Sequence, residues 1–326
     1  MKPRTQRSIG TALAAAAIAL TAPFAAAQEY PVREIRSLCN FGAGSGADIL
    51  VRFYSDRLSK LAGKPVIVEN KPGANGALAT DALAKSKPDG YTILITPASS
   101  TIAAAPHLFK SLPFDTAKDF AAVTTIASLS FVIMVDAAKP IRSIAELVAH
   151  LKAKPNHGFY GTASNTGVIA AELFKAKAGL KTTYAPYKLN TQALTDLLLG
   201  QVDFLSYDAT WASGQAQGGK IRILAATAAK RSVALPEVPT LAELGYGGND
   251  VTPWWGVVVP AGTPKPVIDK LASWFNQITG AEDTKQFLTR TAFDPFPGSP
   301  AQMQALMKSD ADRWRGYVEL AKIEPQ

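Results

Sequence analysis

Apolar, β-rich runs alternate with helical patterns along most of the chain, and this alternation restricts the fold more than any single motif does. IRSLCNF is followed by a helical stretch, PVIVEN by a short helix starting at Asn75, and YTILITP by a loop; AAVTTIA and FVIMVD close this first set. A second set runs through a helix at 143–152, the strand GFYGTA, a helix at 167–178, the strand TTYAPY, a helix at 191–199, and the strands VDFLSYD and IRILAAT. Such alternation predicts an α/β fold on mostly parallel sheets. Gly63, Gly179 and Gly200 stand where helices should stop. The Pro- and Gly-rich segment LPEVPTLAELGYGGNDVTPWW then leads to the strand WGVVVPAGTP and two final helices, from Pro264 and from Pro300. Proline suits a first helical turn. A chain of 326 residues with 47% hydrophobic content can build two cores.

The first residues do not belong to that count. Residues 1–27 begin with Lys2, Arg4 and Arg7, continue through the apolar run Ile9 to Leu20, and end on small residues, with Ala25 and Ala27 placed for cleavage before Gln28. This is the pattern of an export signal, and its apolar part is short for a membrane span. The mature chain is therefore expected outside the cytoplasm. Three positive charges of the formal net +8 leave with the leader, so what remains is only mildly basic. No dense Lys/Arg run interleaved with aromatics points to nucleic acid, whereas a modest positive field suits small anions. Cys39, the single cysteine, lies inside the first apolar strand and reads as a small buried residue. His107, His150 and His157 lack metal-ligand spacing, so neither a metal nor a cofactor is expected.

Within this frame the stretch FGAGSGADILV, Phe41 to Val51, joins the first strand to the first helix. Gly42, Gly44 and Ala47 have the G-x-G-x-x-A spacing of a dinucleotide-binding turn, and Glu69 stands where a ribose-binding acid could follow. The underlying physics is broader than dinucleotides. A helix N-terminus leaves backbone N–H groups unpaired and carries partial positive charge, so it can hold any anion that the glycines let approach. Ser45 adds a hydroxyl, or caps the helix; Asp48 is placed to favour the helix dipole, to touch a polar group of a ligand, or to stiffen the loop. The second half offers a matching loop, Thr162, Ala163, Ser164, Asn165 and Thr166, before another helix. Two such loops facing one another would grip a small carboxylate from both sides.

Catalytic signatures are missing from the sequence: it has no G-x-S-x-G, no G-x-x-x-x-G-K-[ST] and no H-E-x-x-H. Asp208 ends the strand VDFLSYD and is a weaker ligand candidate than Asp48. Trp254 and Trp255 stand at the chain return, where they either pack at the hinge or cover a ligand. Export also argues against a freely diffusing nicotinamide cofactor, which weighs against an oxidoreductase.

The segments EYPVREIRSLCNFGAGSGAD, VENKPGANG, KPDGYT, YGTASNTGVIAAELFKAKAG, DLLLGQVDF, KRSVALPEVPT and WGVVVPAGTP, in this order and spacing, resemble the periplasmic solute-binding receptors of tripartite tricarboxylate transporters, the Bug or TctC type. The resemblance implies a two-lobed periplasmic binding protein, a type II-like Venus flytrap with two interlobe crossings. Lobe one would hold 28–130 and 254–326, lobe two 131–253, with the ligand cleft between them. It implies a non-enzymatic monomer that captures a dicarboxylate, tricarboxylate, amino acid or aromatic acid and delivers it to membrane permease subunits. An exported sensor acting through a histidine kinase is the alternative.

Carried over by position, the ligand contacts are Phe41, Ala43, Gly44, Ser45, Gly46 and Asp48 in the first loop, and Thr162, Ala163, Ser164, Asn165 and Thr166 in the second. Ser99, Ser100, Tyr207 and Asp208 would contribute further. The chain departs from the family pattern at Asn40, at TASNTG, at Leu189, and at Tyr207, which stands where an acid is usual and displaces it to Asp208. Phe41, Tyr207 and the Trp pair would suit an aromatic acid.

Overall fold

The structure is a computed structural model that describes residues 30–154, 156–247 and 250–325. The leader at 1–27 and its expected cleavage point lie outside these residues. The first elements are β1 (Ile35–Cys39), α1 (Gly46–Ala62), β2 (Val66–Asn70), α2 (Ala77–Ala84), β3 (Thr92–Thr96), α3 (Ala105–Leu108) and β4 (Phe120–Ser128). They are followed by β5 (Phe131–Asp136), α4 (Ile144–Ala153), β6 (Phe159–Thr162), α5 (Asn165–Ala178), β7 (Thr183–Pro186), α6 (Asn190–Leu198), β8 (Phe204–Asp208), α7 (Ala209–Gln217) and β9 (Ile221–Ala226). The last are β10 (Trp254–Pro260), α8 (Lys265–Gly280), α9 (Glu282–Arg290), β11 (Asp294–Pro295) and α10 (Pro300–Ala321).

These strands form a six-stranded sheet in the order β11-β4-β10-β3-β1-β2 and a five-stranded sheet in the order β7-β6-β8-β5-β9. Both are mixed, which corrects the mostly parallel expectation. β1 is parallel to β2 and β3, and β6 to β7 and β8, because each connection carries a helix. β10 instead runs antiparallel to β3 and β4, and β5 antiparallel to β8 and β9, because these strands enter from the other sheet.

Both faces of each sheet are covered, as the side-chain alternation of the central strands shows. On β10, Trp255, Val257 and Val259 join one apolar cluster with Tyr54, Leu58 and Phe275, while Trp254 and Val258 join another with Leu83 and Met303. On β5, Ile133 and Val135 face Phe174 and Leu147, whereas Val132 and Met134 face Leu197 and Ile221.

The chain passes between the sheets at 129–130 and at 227–253, and the two passages lie side by side. Leu129 N–H donates to the Pro253 carbonyl at 3.0 Å, and Val251 N–H to the Thr227 carbonyl at 3.2 Å. The buried Thr227 hydroxyl lies 3.1 Å from the Phe131 carbonyl and 2.8 Å from that of Val251.

Three helices differ from the sequence reading. The loop after β3 is a π-type turn at Ser99–Ala103 running into α3. α7 fills the interval between VDFLSYD and IRILAAT, and α9 adds a third helix to the C-terminal region. Among the described residues, no helix is long and apolar enough to cross a membrane.

Candidate ligand-binding site

The cleft is built at the carboxyl ends of parallel strands, where successive loops converge in α/β folds. The loops after β1, β2 and β3 supply Asn40 and Phe41, then Gly73 to Gly76, then Pro97, Ser100 and Thr101; the loop after β6 supplies Ala163 to Thr166. Leu108 at the end of α3, Phe109 just after it and Trp314 from α10 close the rest. The space enclosed is about 600 Å³, which is the size of a small-ligand site. No described residue lining it carries a charged side chain.

The β6–α5 side is organised by caps. Ser164 is the N-cap of α5, its Oγ accepting the Gly167 N–H at 3.1 Å, and the Ser164 N–H points to Thr162 Oγ1 at 3.4 Å. A Cβ on Gly167 would lie 2.1 Å from Thr162 Oγ1 and 2.6 Å from the Ser206 carbonyl oxygen, so only glycine lets α5 start this close to its strand. Asn165 and Thr166 occupy the first helical turn facing the cleft, where backbone N–H groups have no partner within the helix.

The opposite wall rests on a buried hydroxyl network. Thr96 Oγ1 donates to Asn40 Oδ1 at 3.0 Å and lies 2.8 Å from Thr101 Oγ1. Above it, Gly73, Ala74, Asn75 and Gly76 all have positive φ, of 127°, 45°, 48° and 94°. Two consecutive non-glycine residues in the left-handed region store strain of the kind found at ligand clamps. A Cβ on Gly76 would lie 2.8 Å from Thr101 Cγ2 and 2.9 Å from Asn40 Nδ2. The sequence reading placed no site residue in this turn, although the flanking glycines of GANG were the signal that it bends against the cleft.

Of the residues expected from sequence, Phe41, Ser100, Ala163, Ser164, Asn165 and Thr166 come together on the cleft wall. Phe41 is held by stacking on Trp255, with ring centroids 5.6 Å apart. Ala43, Gly44, Ser45, Gly46 and Asp48 do not line it. Ser45 caps α1, accepting the Asp48 N–H at 3.2 Å and donating to the Gly42 carbonyl at 2.8 Å. Asp48 is buried and fastens the loop: its carboxylate accepts from Gly44 N at 2.8 Å, Arg52 Nε at 2.8 Å and Asn70 Nδ2 at 2.7 Å. Burial would push this carboxyl up, but the hydrogen bonds from Arg52, Asn70 and Gly44 together hold it below the usual carboxylate range. Of the three roles open to Asp48, the structure displays the stiffening of the loop.

Thr162 is fully buried beneath the α5 start. Tyr207 is 2% exposed, packs on Trp211 at 4.7 Å and does not itself line the cleft. Asp208 caps α7, accepting the Trp211 N–H at 2.9 Å, and burial pushes its carboxyl up despite that bond. Glu69 pairs with Lys71 at 2.7 Å and Arg36 at 3.4 Å. Cys39 is free and buried. Among the described residues, no group of three or more His, Cys, Asp or Glu is arranged to hold a metal.

Ser99 belongs to a second, smaller hollow of about 190 Å³ behind the cleft, lined also by Asp250, Trp254, Asp310 and Arg313. Thr166 and Trp314 line both spaces. Trp254 and Trp255 are buried on opposite faces of β10; Trp254 Nε1–H donates to Asp310 Oδ2 at 2.5 Å, and Arg313 pairs with the other carboxylate oxygen.

This architecture has close counterparts. The family described as the tripartite tricarboxylate transporter family receptor matches residues 50–322. A UPF0065 protein of Bordetella bronchiseptica is 35% identical over 316 residues, 96% of this chain and 93% of that protein. A Rhodopseudomonas palustris protein solved with adipate superposes with a TM-score of 0.78 at 31% identity, covering 91% of this chain and 100% of the other. MatC from Rhodopseudomonas palustris, solved with bound malate, gives a TM-score of 0.72 at 26% identity over 89% of this chain and 100% of that one. With the family match, the relatives and the two mixed sheets all in agreement, the chain belongs to the tripartite tricarboxylate transporter family of receptors.

Proposed function

We propose that this chain captures a small organic carboxylate in the cleft between its lobes and delivers it, as a monomer in the periplasm, to the permease subunits of a tripartite tricarboxylate-type transporter. One lobe comprises 28–130 and 254–326, the other 131–253, and the export signal at 1–27 is removed before the receptor acts. The observation that carries this reading is the start of α5 aimed, through Asn165 and Thr166, into a cleft whose described lining has no charged side chain. There, backbone amides and the positive end of the helix dipole are the groups suited to an anion. Adipate in one relative and malate in another support a carboxylate as that anion. The receptor works by binding and closing, with no chemical step: a ligand that touches both walls favours the closed arrangement by its extra affinity for it.

The test is a thermal-shift screen of the exported chain against dicarboxylates, tricarboxylates, amino acids and aromatic acids. A ligand at a hundred times its Kd stabilises by about 2.7 kcal/mol, enough to raise the melting temperature measurably. A flat response across the whole panel would remove the carboxylate reading.

A further inference from the structure

We infer that Trp314 is the specificity-determining wall of the cleft and sets the length of ligand that it accepts. The inference rests on the carboxylate reading above and adds a residue that no sequence motif pointed to. The seam between the cleft and the rear hollow is made from three places: Ser100 faces the cleft while its neighbour Ser99 faces the hollow, and Thr166 and Trp314 line both. Of these, Trp314 has by far the largest side chain. A ligand anchored by its carboxylate at Asn165 and Thr166 and extending along the cleft meets the indole before it can reach the space behind.

A wall discriminates only if it stays in place, and this one is fastened on several sides. Asp310, one helical turn before Trp314, accepts the Trp254 indole N–H at 2.5 Å and pairs with Arg313. The Ala311 carbonyl accepts from His107 Nε2 at 2.8 Å. Beyond the indole, Tyr317 OH donates to the Asp250 carbonyl at 3.3 Å, and its ring meets Trp314 edge-on at 6.2 Å. Trp314 itself is 6% exposed and belongs to the core cluster of the first sheet. Removing the indole would join the hollow of about 190 Å³ to the cleft of about 600 Å³.

The experiment measures Kd by calorimetry for butanedioate, hexanedioate, octanedioate and decanedioate with the wild type, Trp314→Phe and Trp314→Ala. The readout is the ratio of long-chain to short-chain affinity within each protein, which a uniform loss of stability does not move. Each methylene newly covered is worth about fourfold, so a tail gaining two should shift the ratio about fifteenfold towards the longer acids in Trp314→Ala, with Trp314→Phe between. Leu306 also lines the hollow, so adding Leu306→Trp, which refills it, should restore the wild-type order. If Trp314→Ala does not fold, Trp314→Phe and Thr166→Ala test the same seam. A length profile identical to wild type in the folded variants overturns the inference while leaving the carboxylate reading intact. Absence of binding by the whole series to wild type, together with a flat thermal-shift panel, overturns both.

Discussion

Gly167 and Thr162 approach so closely that a Cβ on the glycine would lie 2.1 Å from the threonine Oγ1. The contact fixes where α5 begins relative to β6, and hence where its first-turn amides point. Gly167→Ala must push the helix away, and overpacking of this kind costs about 1–3 kcal/mol. The expected outcome is a lower denaturation midpoint together with loss of the ligand-induced rise in melting temperature. An unchanged response to ligand would show that the α5 start is not the anion site.

The two helix-start loops should separate by mutation. Thr166→Trp fills the cleft and should abolish the thermal shift by ligand while leaving the melting temperature of the free protein nearly unchanged, because the side chain is only half-buried. Ser45→Ala should do the reverse, removing an N-cap worth about 0.5–2 kcal/mol with little effect on affinity. A Ser45→Ala variant that lost affinity beyond its loss of stability would bring the β1–α1 loop back into the site.

Asp48 gives a pH signature. Its carboxyl is depressed in the folded chain, so its contribution is fully present above the unfolded value of about 3.9 and is lost as pH falls through the lower folded value. Melting temperatures of wild type and Asp48→Asn should therefore converge as the solution is acidified below about pH 4 and differ most near neutrality. Parallel pH curves for the two proteins would refute the assignment of Asp48 as the fastener of this loop.

Thr227 joins the two interlobe passages through one hydroxyl. Thr227→Val keeps the shape and removes the hydrogen-bond partner of a buried carbonyl, at a cost of about 1–3 kcal/mol. Chemical denaturation should register that loss, whereas the rank order of ligands should stay the same, since Thr227 does not line the cleft.

Much of this was written locally in the sequence, and the exceptions have physical reasons. α1 and α5 were legible from the left-handed glycines that end them, Gly63 and Gly179, and α1 also from its Ser45 cap, whereas α5 begins two residues before the expected 167 because Ser164 is its cap. α7 escaped notice because ATWASGQAQ has no apolar stripe, its start being signalled only by the cap Asp208. α9 follows α8 with Ala281 alone between them, and EDTKQFLTR shows little apolar content until its Leu288 is seen to be buried. The direction of β10 is set by a chain that has left one sheet and come back, which no window along the sequence contains. Trp314 reads locally as one more apolar position on a long helix; only the packing of α10 against α5 and the Ser99–Ala103 turn brings it to the cleft.

The place of β10 between β3 and β4 also orders events in time. The second sheet draws all its strands from 131–226 and can form from continuous chain, but the first has a gap at its centre until Trp254–Pro260 has been made. Before then β3 and β4 each present an unpaired edge, the kind of surface on which chains aggregate. Pairings this distant in sequence close slowly. A fragment ending before residue 254 would therefore carry one sheet able to assemble and another held open, and the first lobe can be completed only after the second has been synthesised.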